Sequence, residues 1–438
     1  MRVTKFMFGC AALISLSALT VACKAPVTTQ NRSTQNASLS EVETGHYLTN
    51  AGNCISCHTK KDGKPFAGGF PVRTPFGIVY SPNITPDKET GIGKWSEQEF
   101  YDAMHLGKDN EGKHLYPAFP YPWYTKISRA DVDSIMAYLD SLTPVKQQNI
   151  TDTLDWPVSW RGSMIAWNML YFTAGSFKPD PKKSAQYNRG AYLVEGLGHC
   201  SQCHSPKNML GAVENGAKRL SGGYADSREH WFAPSLSDNL RQGIGDWSVL
   251  EIVDYLKTAS NDKSASAGPM TGVVMNSTRY LNDSDLTAIA VYLKDMPQTQ
   301  TTSETKTTDI SAQRLASGRD LYVHNCASCH MADGRGLLHY FPPLKGSAAI
   351  QAENPGTVIN VVLAGASITI PSSKPTGLLM PAFGQKLSDQ EIADVVNYIR
   401  NSWGNRAPLV RTDTVSDIHK ISQEPTTNKS HKPTASHQ

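Results

Sequence analysis

Cys54-Ile55-Ser56-Cys57-His58, Cys200-Ser201-Gln202-Cys203-His204 and Cys326-Ala327-Ser328-Cys329-His330 are three copies of one pentapeptide, Cys-x-x-Cys-His. Two thiols one helical turn apart, followed at once by an imidazole, form the attachment signature of c-type haem. Each thiol bonds a vinyl group of the porphyrin, and the adjoining histidine is held beneath the ring, where its nitrogen binds iron. Other uses of a cysteine pair fit less well. A structural zinc site takes four ligands, usually from a second nearby pair, and here the pairs stand far apart, each with its own histidine. A thioredoxin-like redox pair would not recur threefold. A disulfide framework belongs to short secreted chains, not to one of 438 residues. Three covalently bound haems c are therefore expected, on Cys54 and Cys57, Cys200 and Cys203, and Cys326 and Cys329. His58, His204 and His330 are the expected axial ligands.

The motifs use six of the eight cysteines; the other two, Cys10 and Cys23, both lie in the first 23 residues. There a basic start, Met1-Arg2-Val3-Thr4-Lys5, precedes an apolar run from Phe6 to Ala22, the pattern of a secretion signal. The run ends in Leu19-Thr20-Val21-Ala22-Cys23, similar to a bacterial lipoprotein cleavage box, with Thr20 where leucine is usual. Cleavage before Cys23 and acylation of its thiol follow from that reading; an ordinary signal cut nearby, with Cys23 incidental, is the alternative. Either way the mature chain is expected on the periplasmic side of a bacterial membrane. Formal net charge is only +3, and Arg2 and Lys5 belong to the leader, so nothing points to nucleic acid or another polyanion. No other stretch approaches the roughly 18 apolar residues of a membrane span. A hydrophobic content of 39% with 18% charged residues suits globular units joined by polar linkers.

Each motif follows a short helical pattern opening at a glycine: Gly45-His46-Tyr47-Leu48, Gly190-Ala191-Tyr192-Leu193 and Gly318-Arg319-Asp320-Leu321-Tyr322. Each unit closes with an amphipathic helix, over 127–142, 281–296 and 387–403. Ser128, Asn282 and Ser388 are its natural N-caps, with Asp131, Asp285 and Glu391 three residues on. Apolar positions then recur at helical steps: Val132, Ile135, Leu139; Leu286, Ile289, Leu293; Ile392, Val395, Ile399. Units one and two share a further block, Gly91-Ile92-Gly93-Lys94-Trp95-Ser96 against Gly243-Ile244-Gly245-Asp246-Trp247-Ser248, each opening a helix. Ser81-Pro82-Asn83-Ile84 matches Ala233-Pro234-Ser235-Leu236, with Phe341-Pro342-Pro343-Leu344 in that role in unit three. A glycine-started first helix packed against such a last helix resembles class I cytochrome c. That resemblance implies an all-α chain of three tandem class I cytochrome c domains, at 41–150, 185–297 and 312–404.

The remaining boundaries follow composition. Residues 1–22 are the leader, 23–40 a polar tether, 298–311 a threonine-rich linker, and 405–438 a polar tail without periodicity, expected to be disordered. The connector 151–184 differs, holding Trp156, Trp160, Trp167, Tyr171 and Phe172. Packing between units one and two over a haem edge, or a docking surface for a partner or quinone, would explain it.

A sixth ligand is needed on each iron, and a methionine sulfur raises the reduction potential. Met380, in Leu379-Met380-Pro381-Ala382-Phe383, stands just before the last helix of unit three. Met270, in Gly268-Pro269-Met270, occupies the matching loop of unit two, with Met275 in reserve; Met209 follows its haem motif too closely and reads as packing. Unit one breaks the pattern with His114-Leu115-Tyr116-Pro117-Ala118-Phe119-Pro120-Tyr121-Pro122. Aligned through Pro-Ala-Phe on unit three, Tyr116 falls at Met380. Met104 is helical, aligns with Leu256 and Val362, and reads as core. His105 and His114 are the candidate distal ligands of haem one, and an iron with no sixth ligand is the third possibility. Without a thioether this haem would have a different, lower potential.

From about Glu41 to Gly404 the chain resembles the three-haem cytochrome subunit of bacterial membrane-bound dehydrogenases that oxidise alcohols, gluconate, sorbitol or aldehydes. The residues that carry this are the three motifs, Tyr116-Pro117-Ala118-Phe119-Pro120-Tyr121, Gly268-Pro269-Met270, and above all 188–200, Asn-Arg-Gly-Ala-Tyr-Leu-Val-Glu-Gly-Leu-Gly-His-Cys. Phe119 departs from the pattern, since a relative's Tyr-Pro-Ala-Met-Pro places sulfur there. The resemblance implies a relay. A separate catalytic dehydrogenase subunit of the flavin, quinone-cofactor or molybdenum type reduces one haem, and electrons pass on to ubiquinone or a terminal oxidase. The chain carries no dinucleotide fingerprint and no nucleophile–base constellation of its own. The rival readings are a free-standing periplasmic shuttle, and a haem enzyme or sensor using an open iron in unit one.

Overall fold

The computed structural model describes residues 39–226, 229–296, 311–338, 340–367 and 379–423. The leader, Cys23, nearly all of the tether and of the 298–311 linker, and the chain end beyond 423 lie outside the described residues.

In unit one, helix α1 (Leu39–Ala51) leads into the one-turn α2 (Cys54–Cys57). A hairpin of β1 (Pro71–Thr74) and β2 (Gly77–Tyr80) follows, then α3 (Glu97–Leu106), α4 (Tyr121–Tyr124) and α5 (Arg129–Ser141). The connector supplies β3 (Thr153–Leu154), antiparallel to β2, and α6 (Ser163–Tyr171). Unit two repeats the plan with α7 (Ala185–Glu195), α8 (Ser201–His204), β4 (Gly223–Asp226), β5 (Trp231–Ala233), α9 (Val249–Thr258), α10 (Pro269–Asn276) and α11 (Asp283–Lys294). Unit three has α12 (Ala312–Asn325), α13 (Ala327–His330), α14 (Ala348–Gln351), α15 (Gly356–Ala364), β6 (Ala366–Ser367), β7 (Leu379–Met380) and α16 (Asp389–Arg400). A last helix, α17 (Thr412–Gln423), follows.

The caps expected of the closing helices form. Ser128 Oγ accepts from Asp131 N at 3.1 Å, Asn282 Oδ1 from Asp285 N at 2.8 Å, and Ser388 Oγ from Glu391 N at 3.3 Å. Ser96 and Ser248 make full capping boxes with Glu99 and Glu251, so the shared Trp-Ser block starts α3 and α9 in the same way. In each unit the first helix crosses the last, α1 on α5, α7 on α11 and α12 on α16. The opening glycine explains how close they come. A Cβ at Gly45 would lie 1.8 Å from the Ser134 carbonyl oxygen, at Gly190 2.0 Å from that of Ala288, and at Gly318 2.2 Å from that of Asp394. Only hydrogen fits at these crossings.

Units one and two share one apolar core, running from Leu48, Phe66 and Ile135 through Ile127 and Leu197 to Leu193, Leu286 and Tyr292. Unit three has its own, built on Tyr322, Ile359, Phe383, Ile392 and Val396. It meets unit two along a polar seam, where Thr357 Oγ1 donates to the Phe232 carbonyl at 2.7 Å and accepts from Phe232 N–H at 2.9 Å.

Three expectations are refined. The chain is largely helical, as expected, and among the described residues three small antiparallel sheets, β1–β2–β3, β4–β5 and β6–β7, pair the loops between helices. Strands of two to four residues are too short for a period-2 pattern to be read. The tail expected to be disordered from residue 405 is helical over 412–423, because Val415 and Ile418, one turn apart, bury themselves against unit three's core. The connector does pack, through Met164 and Asn168, yet it leaves Trp156, Trp160 and Met169 largely in solvent. Among the described residues no helix is long and apolar enough to cross a membrane.

Candidate metal centres

The three motif histidines are oriented by one device. His58 Nδ1 lies 2.8 Å from the Pro82 carbonyl oxygen, His204 Nδ1 2.7 Å from that of Pro234, and His330 Nδ1 3.0 Å from that of Pro342. A carbonyl only accepts, so each Nδ1 carries the proton and each Nε2 presents its lone pair. A ring held this way is the usual second-shell arrangement of a metal-binding histidine. Burial pushes the pKa of all three below the ordinary value, against the prolyl carbonyl, keeping them neutral as a ligand must be.

Three of the thiols beside them are held in the protonated form. Burial raises Cys54 and Cys200 to about 12 and Cys326 to about 11, far from the range of a redox or zinc thiolate. Among the described residues no group of three or more His, Cys, Asp or Glu could hold a bare metal ion. In unit three the motif faces a cavity of about 360 Å³ lined by Cys326, Cys329, His330, Val362, Met380 and Phe383. An apolar cavity lined by two thiols, an imidazole and a thioether fits a porphyrin and its iron. The loop Ser260–Ala267 of unit two closes its rim.

The distal candidates fare differently. Met380 lines that cavity. Met270 sits partly buried in the first turn of α10, where the Trp231 indole packs against Gly268 (φ +53). Met275 instead takes the Arg279 guanidinium, Nη1 to Sδ 3.7 Å. Met209, expected as packing, is 93% exposed, because its loop lies on the surface.

Backbone pairing revises the alignment in unit one. The residue after each positive-φ helix end pairs across the distal loop: Lys108 with His114, Ser260 with Ala265, Ala366 with Met380. Leu115 N–H donates to the Gly107 carbonyl at 2.7 Å, as Ser266 N–H does to that of Ala259 at 2.8 Å. His114, not Tyr116, therefore stands opposite Met380, and Phe119 falls at the place of Met270. Tyr116 is buried under the Arg161 guanidinium. Phe119 packs edge-on against Tyr124, centroids 5.4 Å apart. Met104 is buried, as expected of core.

The two histidine candidates differ. Asn168 accepts from the Tyr121 hydroxyl at 2.6 Å through Oδ1, which turns its Nδ2 toward His114 Nδ1 at 2.9 Å. His114 Nδ1 thus accepts, and its proton resides on Nε2. His105 stacks on Tyr101 at 4.9 Å, and its buried Nδ1 has no hydrogen-bond partner.

The prolyl carbonyls and Asn168 escaped the sequence reading. The three prolines were visible as a shared block, but nothing in sequence says that a carbonyl far along the chain meets the motif histidine. Sequence also missed His199 of unit two, half-buried and set edge-on to Tyr124 of unit one at 5.8 Å. Across the same interface Trp123 Nε1 donates to Ser201 Oγ of the second motif at 2.6 Å, and Asn276 Nδ2 to Ser56 Oγ of the first at 2.9 Å.

Paired thiols, a lone-pair-presenting imidazole and a crossed first and last helix define a c-type cytochrome. The Cytochrome c family matches residues 42–143 and 315–403. The chain is 39% identical to the cytochrome c subunit of a quinone alcohol dehydrogenase of Gluconacetobacter polyoxogenes over 404 residues, 89% of this chain and 85% of that one. It is 38% identical to the gluconate 2-dehydrogenase cytochrome c subunit of Pantoea cypripedii, over 88% and 90% of the two chains. It is 34% identical to the fructose dehydrogenase cytochrome subunit of Gluconobacter japonicus, over 86% and 82%. The chain belongs to this family, the cytochrome c subunits of membrane dehydrogenases.

Proposed function

We propose that this chain is the three-haem electron-transfer subunit of a membrane-bound dehydrogenase, built as three tandem cytochrome c domains. The observation that carries the reading is the threefold repeat of one arrangement: a cysteine pair, its histidine, and a prolyl carbonyl that leaves Nε2 unprotonated. When bound, haem supplies a one-electron couple that none of the chain's own side chains provides. The chain's residues set the rest. Cys54, Cys57, Cys200, Cys203, Cys326 and Cys329 would anchor the porphyrins, His58, His204 and His330 would ligate iron, and Met270 and Met380 would supply thioether ligands that raise the potential. The bonds that tie the first two motifs to the opposite unit, and the unit-two loop lining the unit-three cavity, support a continuous path through all three sites.

A catalytic dehydrogenase subunit donates the electrons and ubiquinone or a terminal oxidase accepts them. The mature chain is exported and held on the periplasmic face by lipid on Cys23, a reading that rests on the leader alone. Intact mass of the mature protein tests the haem count: an excess over the polypeptide of fewer than three haems refutes it. Gentle detergent extraction tests the relay, with a stoichiometric catalytic subunit expected. A chain recovered alone would make it a free-standing shuttle.

A further inference from the structure

The distal side of the first site has lost its loop sulfur. The register fixed by Lys108–His114 and Ser260–Ala265 puts a phenyl ring, Phe119, where unit two has Met270. A phenyl ring has no lone pair to give iron.

A second sulfur is placed to replace it. Helices α3, α9 and α15 each end at a residue of positive φ, Gly107 (63°), Ala259 (67°) and Gly365 (76°). Three residues before these ends stand Met104, Leu256 and Val362. Val362 lines the unit-three cavity with His330 and Met380, and its carbonyl accepts from Phe383 N–H of the Met380 loop at 2.9 Å, so this position lies on the Met380 side of the cavity. In unit one it alone carries a sulfur. Met104 is 4% exposed, on the inward face of α3 with Phe100 and Ala103, among Phe66, Ile92 and Tyr124. The other buried methionine of the unit, Met136, corresponds to Val396 on α16. The cavity residue there is Val395, about 100° round the helix.

The histidines are placed differently. His114 keeps its proton on Nε2 because Asn168 donates to Nδ1. His105 follows Met104, about 100° round α3, in the register of Lys257, whose Nζ donates to the Leu281 carbonyl at 2.7 Å. Its ring stacks on Tyr101 at 4.9 Å and its Nδ1 has no hydrogen-bond partner, so ligation by His105 is the outcome that a band worth two thioethers would show.

We propose that Met104, borne on a helix instead of a loop, is the distal ligand of the first haem. This rests on the reading of Cys54, Cys57 and His58 as a haem site. It replaces the open or bis-histidine iron that the loop sequence suggests with a third His/Met haem, and it closes the first site to exogenous ligands.

The thioether-to-iron charge-transfer band of the oxidised full-length protein, normalised to haem content by mass, is the readout. Three haems with a band worth three thioethers are expected, and a band worth two overturns the proposal whether or not any variant folds. Met104→Leu keeps the volume and removes the sulfur: the band should fall by about one third and one reduced haem in three should bind carbon monoxide. An unchanged band overturns the proposal. In Met104→Leu/Phe119→Met a loop sulfur is restored and the band should return; failure to return counts against a shared distal pocket and sinks the inference. A mass showing fewer than three haems overturns the underlying reading itself, an outcome distinct from three haems with two thioethers.

Discussion

The Tyr47 hydroxyl of unit one donates to Asp285 Oδ2 of unit two at 2.7 Å, and the bond is returned: Tyr192 of unit two donates to Asp131 of unit one at 2.5 Å. The tyrosines are equivalent residues of α1 and α7, and the aspartates are the third residues of α5 and α11. Each tyrosine oxygen also accepts from the N-cap amide, Asn282 N–H at 3.3 Å and Ser128 N–H at 3.0 Å. Two sister units thus dock about a local twofold, each tyrosine finishing the other's helix cap. Unit three has Asp320 at the tyrosine position and spends Glu391 in its own capping box, so it cannot join this arrangement. That accounts for two cores where sequence counts three units.

Removing one of these hydroxyls should loosen the pair without touching either haem site. Tyr47→Phe and Tyr192→Phe are each expected to cost about 1.5–3 kcal/mol, the usual worth of a hydrogen bond to a charged group. Urea unfolding of the holoprotein reads this, and Tyr47→Phe combined with Asp285→Asn should be markedly less than additive. Additive losses would mean the bond contributes nothing.

The glycine crossings should be intolerant of a single methyl group. Gly318→Ala places a Cβ against the Asp394 carbonyl and is expected to destabilise unit three by about 1–3 kcal/mol, the usual cost of overpacking. A midpoint within error of wild type would show that α12 can move off α16 freely.

Met380→Ala should leave covalent haem content intact and lower one reduction potential, since the thioether is what raises it. Potentiometric titration should show one component shifted down and the others in place. Three unshifted components would remove Met380 from the iron.

Acid should act on the interface through Glu195. Burial works against its ionisation, yet Lys126 (2.6 Å) from unit one, with Tyr292 and Arg219, holds the carboxyl down to about 2. A depressed folded-state value stabilises above the ordinary 4.5, and that contribution is lost as pH falls from there toward 2. Its size is on the order of 2 kcal/mol. Glu195→Gln should therefore be less stable near neutrality and show a flatter loss between about pH 5 and 3. Parallel acid limbs for the two proteins would refute this.

A chain ending at Arg411 lacks α17 and uncovers the surface that Val415 and Ile418 bury. It should lose about 2–4 kcal/mol of unit-three stability, given roughly 1.5–3 kcal/mol for each fully buried aliphatic side chain less the cost of ordering the helix. Units one and two should be unaffected, a split visible as a separate early transition.

The sequence alone determined the haem motifs, the helix starts at Ser128, Asn282 and Ser388, the glycine crossings and the oddity of Phe119. All of these are local chemistry: adjacent thiols and imidazole, a cap three residues from its amide, a periodic apolar stripe. Only the tertiary structure decided which carbonyl turns each histidine, which proton His114 carries, and that His114, not Tyr116, shares the register of Met380. It also decided that two units share a core and that a polar tail docks as a helix. Such contacts join residues far apart in the chain, as Tyr47 and Asp285 are. Their geometry comes from packing the whole fold, and no local pattern encodes it.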